Sequence, residues 1–156
     1  MRDDVVVRRL VPVMNTFFTI LIADRNSHVR MFLMREMMAD GYRVKLTGDG
    51  ENVLKIAFTP GAVDLLILDP DLPGIEASSL LDALGERIPA LPIVLHINRR
   101  YYEEKFFMEK NSLCMTIEKE GDSVDRIKEA VRKLLSTSGS SAVERHGSIC
   151  RKGPTP

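Results

Sequence analysis

The fold is decided by residues 65–69, with the sequence LLILD, which are followed by residues 70–74, PDLPG. The four apolar residues form a short continuous run, which is typical of a strand buried on both faces within a parallel sheet. In open parallel sheets, ligands bind outside the carboxyl ends of the strands. Because Asp69 directly follows this strand, the sequence predicts that any chemistry of the chain involves Asp69.

Strand-like and helix-like segments alternate five times along the chain. The predicted strands are residues 18–23, 42–46, 64–68, 92–97 and 113–118, and the predicted helices begin near Ser27, Asp49, Ser78, Tyr101 and Ser123. Ser27 can cap the first helix and Gly41 can end it. Short connections of this kind imply right-handed crossovers, with helices on both faces of the sheet. We therefore expect an α/β fold, a flavodoxin-like (βα)5 doubly wound parallel five-stranded sheet with strand order 2-1-3-4-5.

The predicted domain occupies residues 17–136 of the 156-residue chain. Residues 1–16 form an N-terminal extension, which is either dispensable or a short arm packed on the domain. Residues 137–156 are rich in Ser, Thr, Gly and Pro, so we predict that they form a disordered tail. Little sequence follows Ser136, and no further output domain is expected.

The composition excludes several classes of protein. The 22 basic side chains balance the 22 acidic ones, which gives no support for a nucleic-acid partner. Cys114 and Cys150 are too few for a disulfide framework or a zinc site. No apolar run approaches the roughly 18 residues of a membrane span. These features predict a cytoplasmic protein without a membrane partner.

Three charged residues follow predicted strands in an order that resembles a known family. Residues 20–24, ILIAD, end in Asp24; Asp69 follows 45 residues later, with Pro73 and Gly74 behind it; and Lys119 follows after another 50 residues. The ordered set within five β/α units resembles the response-regulator receiver domains of two-component signalling, over residues 17–136.

The resemblance implies a role for each of these residues. Asp69 would be the phosphoacceptor, which becomes an acyl phosphate, and Lys119 would pair with the phosphate. Asp24, Asp69 and the backbone carbonyl of Asp71 would hold Mg²⁺, which prefers hard oxygen ligands. The residues by themselves leave other interpretations open. Asp24 and Asp69 could simply stabilise turns, and Lys119, between two glutamates, could be a solvated side chain.

The chain departs from the family at three positions. Family members usually have a second acid where this chain has Arg25, which changes the local charge by two units. A unit charge interaction at about 4 Å and an effective dielectric near 20 amounts to about 4 kcal/mol, so Mg²⁺ affinity should be weakened. Ile97 replaces the family's Thr or Ser after the fourth strand, and Thr116 replaces its switch aromatic. His96 precedes Ile97, but strand alternation would turn its side chain to the other face.

Three functions are compatible with these observations. The first is a stand-alone receiver that accepts phosphate at Asp69 from a histidine kinase or another phosphodonor and modulates a partner protein. Such a domain is no enzyme beyond self-phosphorylation and self-dephosphorylation. The second is a pseudo-receiver, a docking module that works without phosphorylation. The third is a haloacid-dehalogenase-type phosphatase, because Asp69 and Asp71 have the spacing of that family's nucleophile and acid. Homodimerisation is left open.

Overall fold

The chain folds around a parallel sheet whose strand order is β2-β1-β3-β4-β5. The computed structural model describes residues 18–98 and 111–149, with side chains described as far as Thr137 in the last helix. The strands are β1 (Thr19–Ala23), β2 (Arg43–Thr47), β3 (Leu65–Leu68), β4 (Ile93–Ile97) and β5 (Cys114–Glu118). All four neighbouring pairs are parallel. The predicted fold class and strand order are confirmed.

The described helices lie on both faces of this sheet. They are α1 (Ser27–Ala39), α2 (Gly50–Ala57), α3 (Ala77–Gly85) and α4 (Ser123–Ile149). Asn26, one residue before the predicted Ser27, caps α1, because its side chain accepts hydrogen bonds from the amides of His28 and Val29. None of the described helices is both long and apolar enough to cross a bilayer. The predicted helix beginning at Tyr101 and the extension at residues 1–16 lie outside the described residues.

Two apolar layers hold the helices to the sheet. One layer packs α2 and α3 against one face, and the other packs α1 and α4 against the opposite face. Successive residues of a strand point to opposite faces, so β3 contributes Leu66 and Leu68 to the first layer and Leu65 and Ile67 to the second. All four side chains are buried. The continuous apolar run before Asp69 therefore reflects burial on both faces.

Shortening Ile67 to valine is expected to lower the free energy of unfolding by about 1 kcal/mol, because Ile67 is 1% exposed and the lost methylene leaves a small cavity. Ile88 is 94% exposed and provides a matched control. Chemical denaturation of Ile67→Val and Ile88→Val measures both effects. An equal loss in the two variants would contradict the assignment of Ile67 to the core.

The last helix is longer than the sequence predicts. Helix α4 runs to Ile149, whereas the predicted tail begins at residue 137. The hydroxyls of Ser136 and Thr137 both donate to the backbone carbonyl of Lys133, one helical turn earlier. These polar side chains therefore bond within the helix and do not end it. The domain boundary after residue 136 stays a prediction.

Candidate functional site

Three charged side chains meet at the carboxyl edge of the sheet. Asp24, Asp69 and Lys119 each directly follow a strand, namely β1, β3 and β5. Their backbone amides donate to the carbonyls of neighbouring strands, which fixes each residue at the sheet edge. Lys119 Nζ lies 2.6 Å from Asp69 Oδ2 and 2.9 Å from Asp24 Oδ2. The lysine reaches β3 across the end of β4, a separation of two strand spacings or about 10 Å.

Each carboxylate uses one oxygen locally and the other for Lys119. Asp24 Oδ1 accepts from the Asn26 amide at 2.8 Å, and Asp69 Oδ1 accepts from the Asp71 amide at 3.0 Å. Both aspartates do stabilise the turns that follow them, as the simpler interpretation of the sequence proposed. Their Oδ2 atoms nevertheless converge on Lys119. Since Asp24 and Asp69 are only 2% and 7% exposed, this arrangement is a buried charge cluster.

The charge of Lys119 is held by its two partners. Burial alone would lower the pKa of Lys119, but the hydrogen bonds and charges of Asp69 and Asp24 outweigh burial, so the pKa is raised. Lys119 is therefore an ammonium at neutral pH, and the three groups carry a net charge of −1. The interpretation of Lys119 as a solvated side chain is wrong.

Arg25 does not join this cluster. Its Nη1 lies 3.1 Å from Asp71 Oδ2, and the two side chains are 65% and 59% exposed. Arg25 therefore does not neutralise Asp24 or Asp69, because the cation bonded to both of them is Lys119. Exposed ion pairs of this kind contribute about 0–1 kcal/mol. The contact with Asp71 can therefore be exchanged at little cost.

A second arginine supports the site and was missed by the sequence analysis. Arg30 Nη1 donates to the backbone carbonyl of Asp24 at 2.5 Å, one turn into α1. This bond ties the end of β1 to the helix that follows it. No sequence signal singles out Arg30 from the other basic residues of the chain.

The donor set suits a magnesium ion only in part. Asp24 and Asp69 offer carboxylate oxygens, which are ligands that Mg²⁺ prefers. However, both Oδ2 atoms already bond to Lys119, and the carboxylate of Asp71 turns outward to Arg25. Within residues 18–98 and 111–137, no three carboxylate, histidine or cysteine side chains are grouped in a way that could hold a metal ion. The arrangement therefore offers two carboxylates to a cation and would bind it only weakly.

Replacing Arg25 by aspartate is expected to raise the affinity for Mg²⁺ by about tenfold, because the change removes a positive charge and adds a hard oxygen ligand beside Asp24. Because the guanidinium is exposed, solvent and salt screen its charge. We therefore expect the change in Mg²⁺ binding free energy to be smaller than the full Coulomb energy. Calorimetric titration of the wild type, Arg25→Asp and Arg25→Gln separates the two contributions. Equal affinities in all three proteins would contradict the expected influence of Arg25.

The two positions where the family has its switch residues carry no comparable groups here. Ile97 is 3% exposed and belongs to the apolar layer of α2 and α3. Thr116 lies half-buried on β5, opposite Leu95 in the register. The site edge at β4 therefore presents a buried alkyl side chain, without a hydroxyl.

The side chain of His96 leaves the site edge and faces α4. Its Nε2 lies 3.2 Å from the hydroxyl of Ser123, at the start of that helix. Its Nδ1 is buried without a hydrogen-bond partner. Burial, followed by the charge of Lys119, lowers the pKa of His96 to about 4, although Asp24 acts in the opposite direction. His96 is therefore a buried neutral side chain. The prediction that strand alternation directs its side chain to the other face is confirmed.

Comparisons with known proteins agree with this geometry. No protein-family model matches the sequence. Over 74 residues, the chain is 35% identical to the response regulator MprA of Mycolicibacterium vanbaalenii. This match covers 46% of the chain and 32% of that protein. The chain thus matches about a third of the length of this relative.

Solved structures are similar to the chain over most of its length. One is the response regulator TrrA of Thermotoga maritima in complex with Mg²⁺ and BeF, at 27% identity and a TM-score of 0.65, covering 76% of this chain and 99% of that one. Another is the receiver domain of the Francisella response regulator 1452, at 20% identity and a TM-score of 0.67, covering 78% and 98%. Fold and sequence similarity agree, and the chain therefore contains a response-regulator receiver domain.

Proposed function

We propose that this domain works in two-component phosphorelay signalling, with Asp69 as the phosphoacceptor. The observation that carries the proposal is the position of the Asp69 carboxylate, at the carboxyl end of β3 and 2.6 Å from the ammonium of Lys119. About 10% of the Asp69 side chain remains accessible, so a small donor group can approach it. The nearby cation is suited to the negative charge of a phosphoryl group.

In the proposed reaction, a carboxylate oxygen of Asp69 attacks the phosphorus of the donor. The bond from phosphorus to the leaving group breaks, and Asp69 becomes an acyl phosphate. Lys119 must then exchange its bond with the carboxylate for one with a phosphoryl oxygen, while Asp24 holds the ammonium in place. Mg²⁺, when held by Asp24 and Asp69, would add positive charge against the phosphoryl oxygens.

The proposed context follows from the same reaction. The donor is a histidine kinase or a small phosphodonor in the cytoplasm, and the output is a changed affinity for a partner protein. The domain acts on its own phosphoryl group and turns over no other substrate. We do not propose the dehalogenase-type phosphatase, because the carboxylate that would be its acid, that of Asp71, is exposed and paired with Arg25.

Intact mass spectrometry after incubation with acetyl phosphate and Mg²⁺ tests the proposal. The wild type should gain one phosphoryl group, and Asp69→Asn should gain none. Asp64→Asn is a matched control, since Asp64 lies at the amino end of the same strand and bonds the Thr19 amide. A gain that persists in Asp69→Asn, or is absent from the wild type, would overturn the assignment of Asp69.

A docking module that works without phosphorylation is the second candidate. Ile97 favours it, because a buried alkyl side chain stands where the family places a hydroxyl for the phosphoryl group. Arg25 favours it as well, since it replaces an acid of the metal site. Absence of a phosphoryl gain with several donors, together with a flat Mg²⁺ titration, would make this the working function.

A further inference from the structure

Arg25 is, among the described residues, an exposed basic side chain beside the end of β1, where the phosphoacceptor site lies. It follows Asp24 directly, and its guanidinium is 3.1 Å from the carboxylate of Asp71. The backbone amide of Asp71 in turn donates to Asp69 Oδ1 at 3.0 Å. The guanidinium is thus one short turn from the phosphoacceptor, and it is 65% exposed.

The charges of the site leave a need for such a cation. Asp24, Asp69 and Lys119 together carry −1. Phosphorylation replaces the carboxylate charge of Asp69 by that of an acyl phosphate, between about −1.5 and −2, so the net charge of the site becomes more negative. Arg30 is engaged with the backbone carbonyl of Asp24. Lys119 is shared between two carboxylates. Arg25 has a solvent-exposed contact with a single carboxylate, and such contacts contribute about 0–1 kcal/mol.

The chemistry of the guanidinium suits this position. Its planar donors match phosphate oxygens in pairs and it is weakly hydrated, so it can exchange a carboxylate for a phosphate at low cost. We propose that Arg25 is a phosphate-binding catalytic residue. Its guanidinium gives up its bond with Asp71 and contacts the phosphoryl oxygens instead, and this contact lets phosphorylation of Asp69 proceed without a divalent cation. This inference rests on the proposed function of Asp69.

Phosphorylation by acetyl phosphate in the presence of EDTA tests the inference. The wild type should be phosphorylated at a rate within a few-fold of that with Mg²⁺. Arg25→Ala should be slower by about tenfold or more in EDTA, since it loses a charge-assisted bond to phosphate. Arg25→Lys should recover part of the rate, because lysine keeps the charge but not the paired donors. Arg43→Ala removes an exposed arginine at the amino end of β2 and should match the wild type.

Titration with inorganic phosphate, followed by NMR in EDTA, separates this inference from the proposed function. In the wild type, phosphate should shift the side-chain signal of Arg25 and the amide of Asp71, and Arg25→Ala should lose the amide shift. If Asp69 is phosphorylated but Arg25→Ala changes neither rate nor phosphate binding, the role of Arg25 is refuted and that of Asp69 stands. If no donor phosphorylates Asp69, the proposed function fails and the catalytic role of Arg25 fails with it, while a phosphate-dependent shift would still identify an anion site.

Discussion

Lys119→Met is expected to lower the free energy of unfolding by about 3 kcal/mol at neutral pH. The substitution removes the cation that bonds both Asp24 and Asp69 and leaves two buried carboxylates facing each other. Removal of one partner from a buried ion pair typically costs 3–5 kcal/mol, because the remaining charge is uncompensated. Chemical denaturation of the wild type and the variant gives the difference directly.

A double-mutant cycle identifies the origin of this loss. Adding Asp69→Asn to Lys119→Met should restore a large part of the stability, since only one buried carboxylate then remains. Lys133→Met, at an exposed position of α4, should have little effect. If the double variant were no more stable than Lys119→Met, lost packing of the lysine stem would explain the result and charge compensation would not.

The contribution of Lys119 to the free energy of unfolding depends on pH, and the sign of this dependence follows from its raised pKa. The folded-state pKa of Lys119 is raised above 10.5, so its contribution to stability is complete below that value. The contribution should then be lost as the pH rises through the folded-state pKa. The stability of the wild type should therefore fall more steeply than that of Lys119→Met above about pH 10.5.

The fold was predictable from the sequence for a physical reason visible in β3. A run such as residues 65–68 is typical of a strand buried on both faces, as in a parallel sheet with helices on each side. The convergence of Asp24, Asp69 and Lys119 was predictable as well, because parallel strands end at one edge. Both predictions depend on backbone geometry, which short-range patterns constrain strongly.

The directions of individual side chains were less predictable. Arg25 is exposed, and its partner is decided by Asp71, which lies 46 residues away in the chain. Asn26 and Ser27 are both good helix caps, so only the structure could place the first residue of α1. Helix α4 continues past Ser136, where the hydroxyls of Ser136 and Thr137 bond to the preceding turn, whereas the composition of this segment favoured a tail.

His96 makes the folded state sensitive to acid. Its pKa of about 4 in the folded state compares with 6.5 in the unfolded chain, so only the unfolded chain binds a proton between these values. The stabilising effect of a neutral His96 is complete above pH 6.5 and is lost as the pH falls towards 4. A pKa shift of this size corresponds to about 3 kcal/mol in the free energy of unfolding. His96 is only 5% exposed, so solvent screens this contribution little.

His96→Leu should abolish this part of the acid sensitivity. Between pH 7 and pH 4, the wild type should lose about 3 kcal/mol more free energy of unfolding than the variant, because leucine cannot be protonated. At pH 7 the two proteins should be similar, since the variant loses the bond to Ser123 but no longer buries the unpaired Nδ1. His28→Leu, at an exposed position of α1, should follow the wild-type profile. Parallel pH profiles for His96→Leu and the wild type would show that His96 is protonated in the folded state without penalty, and that its burial does not limit stability in acid.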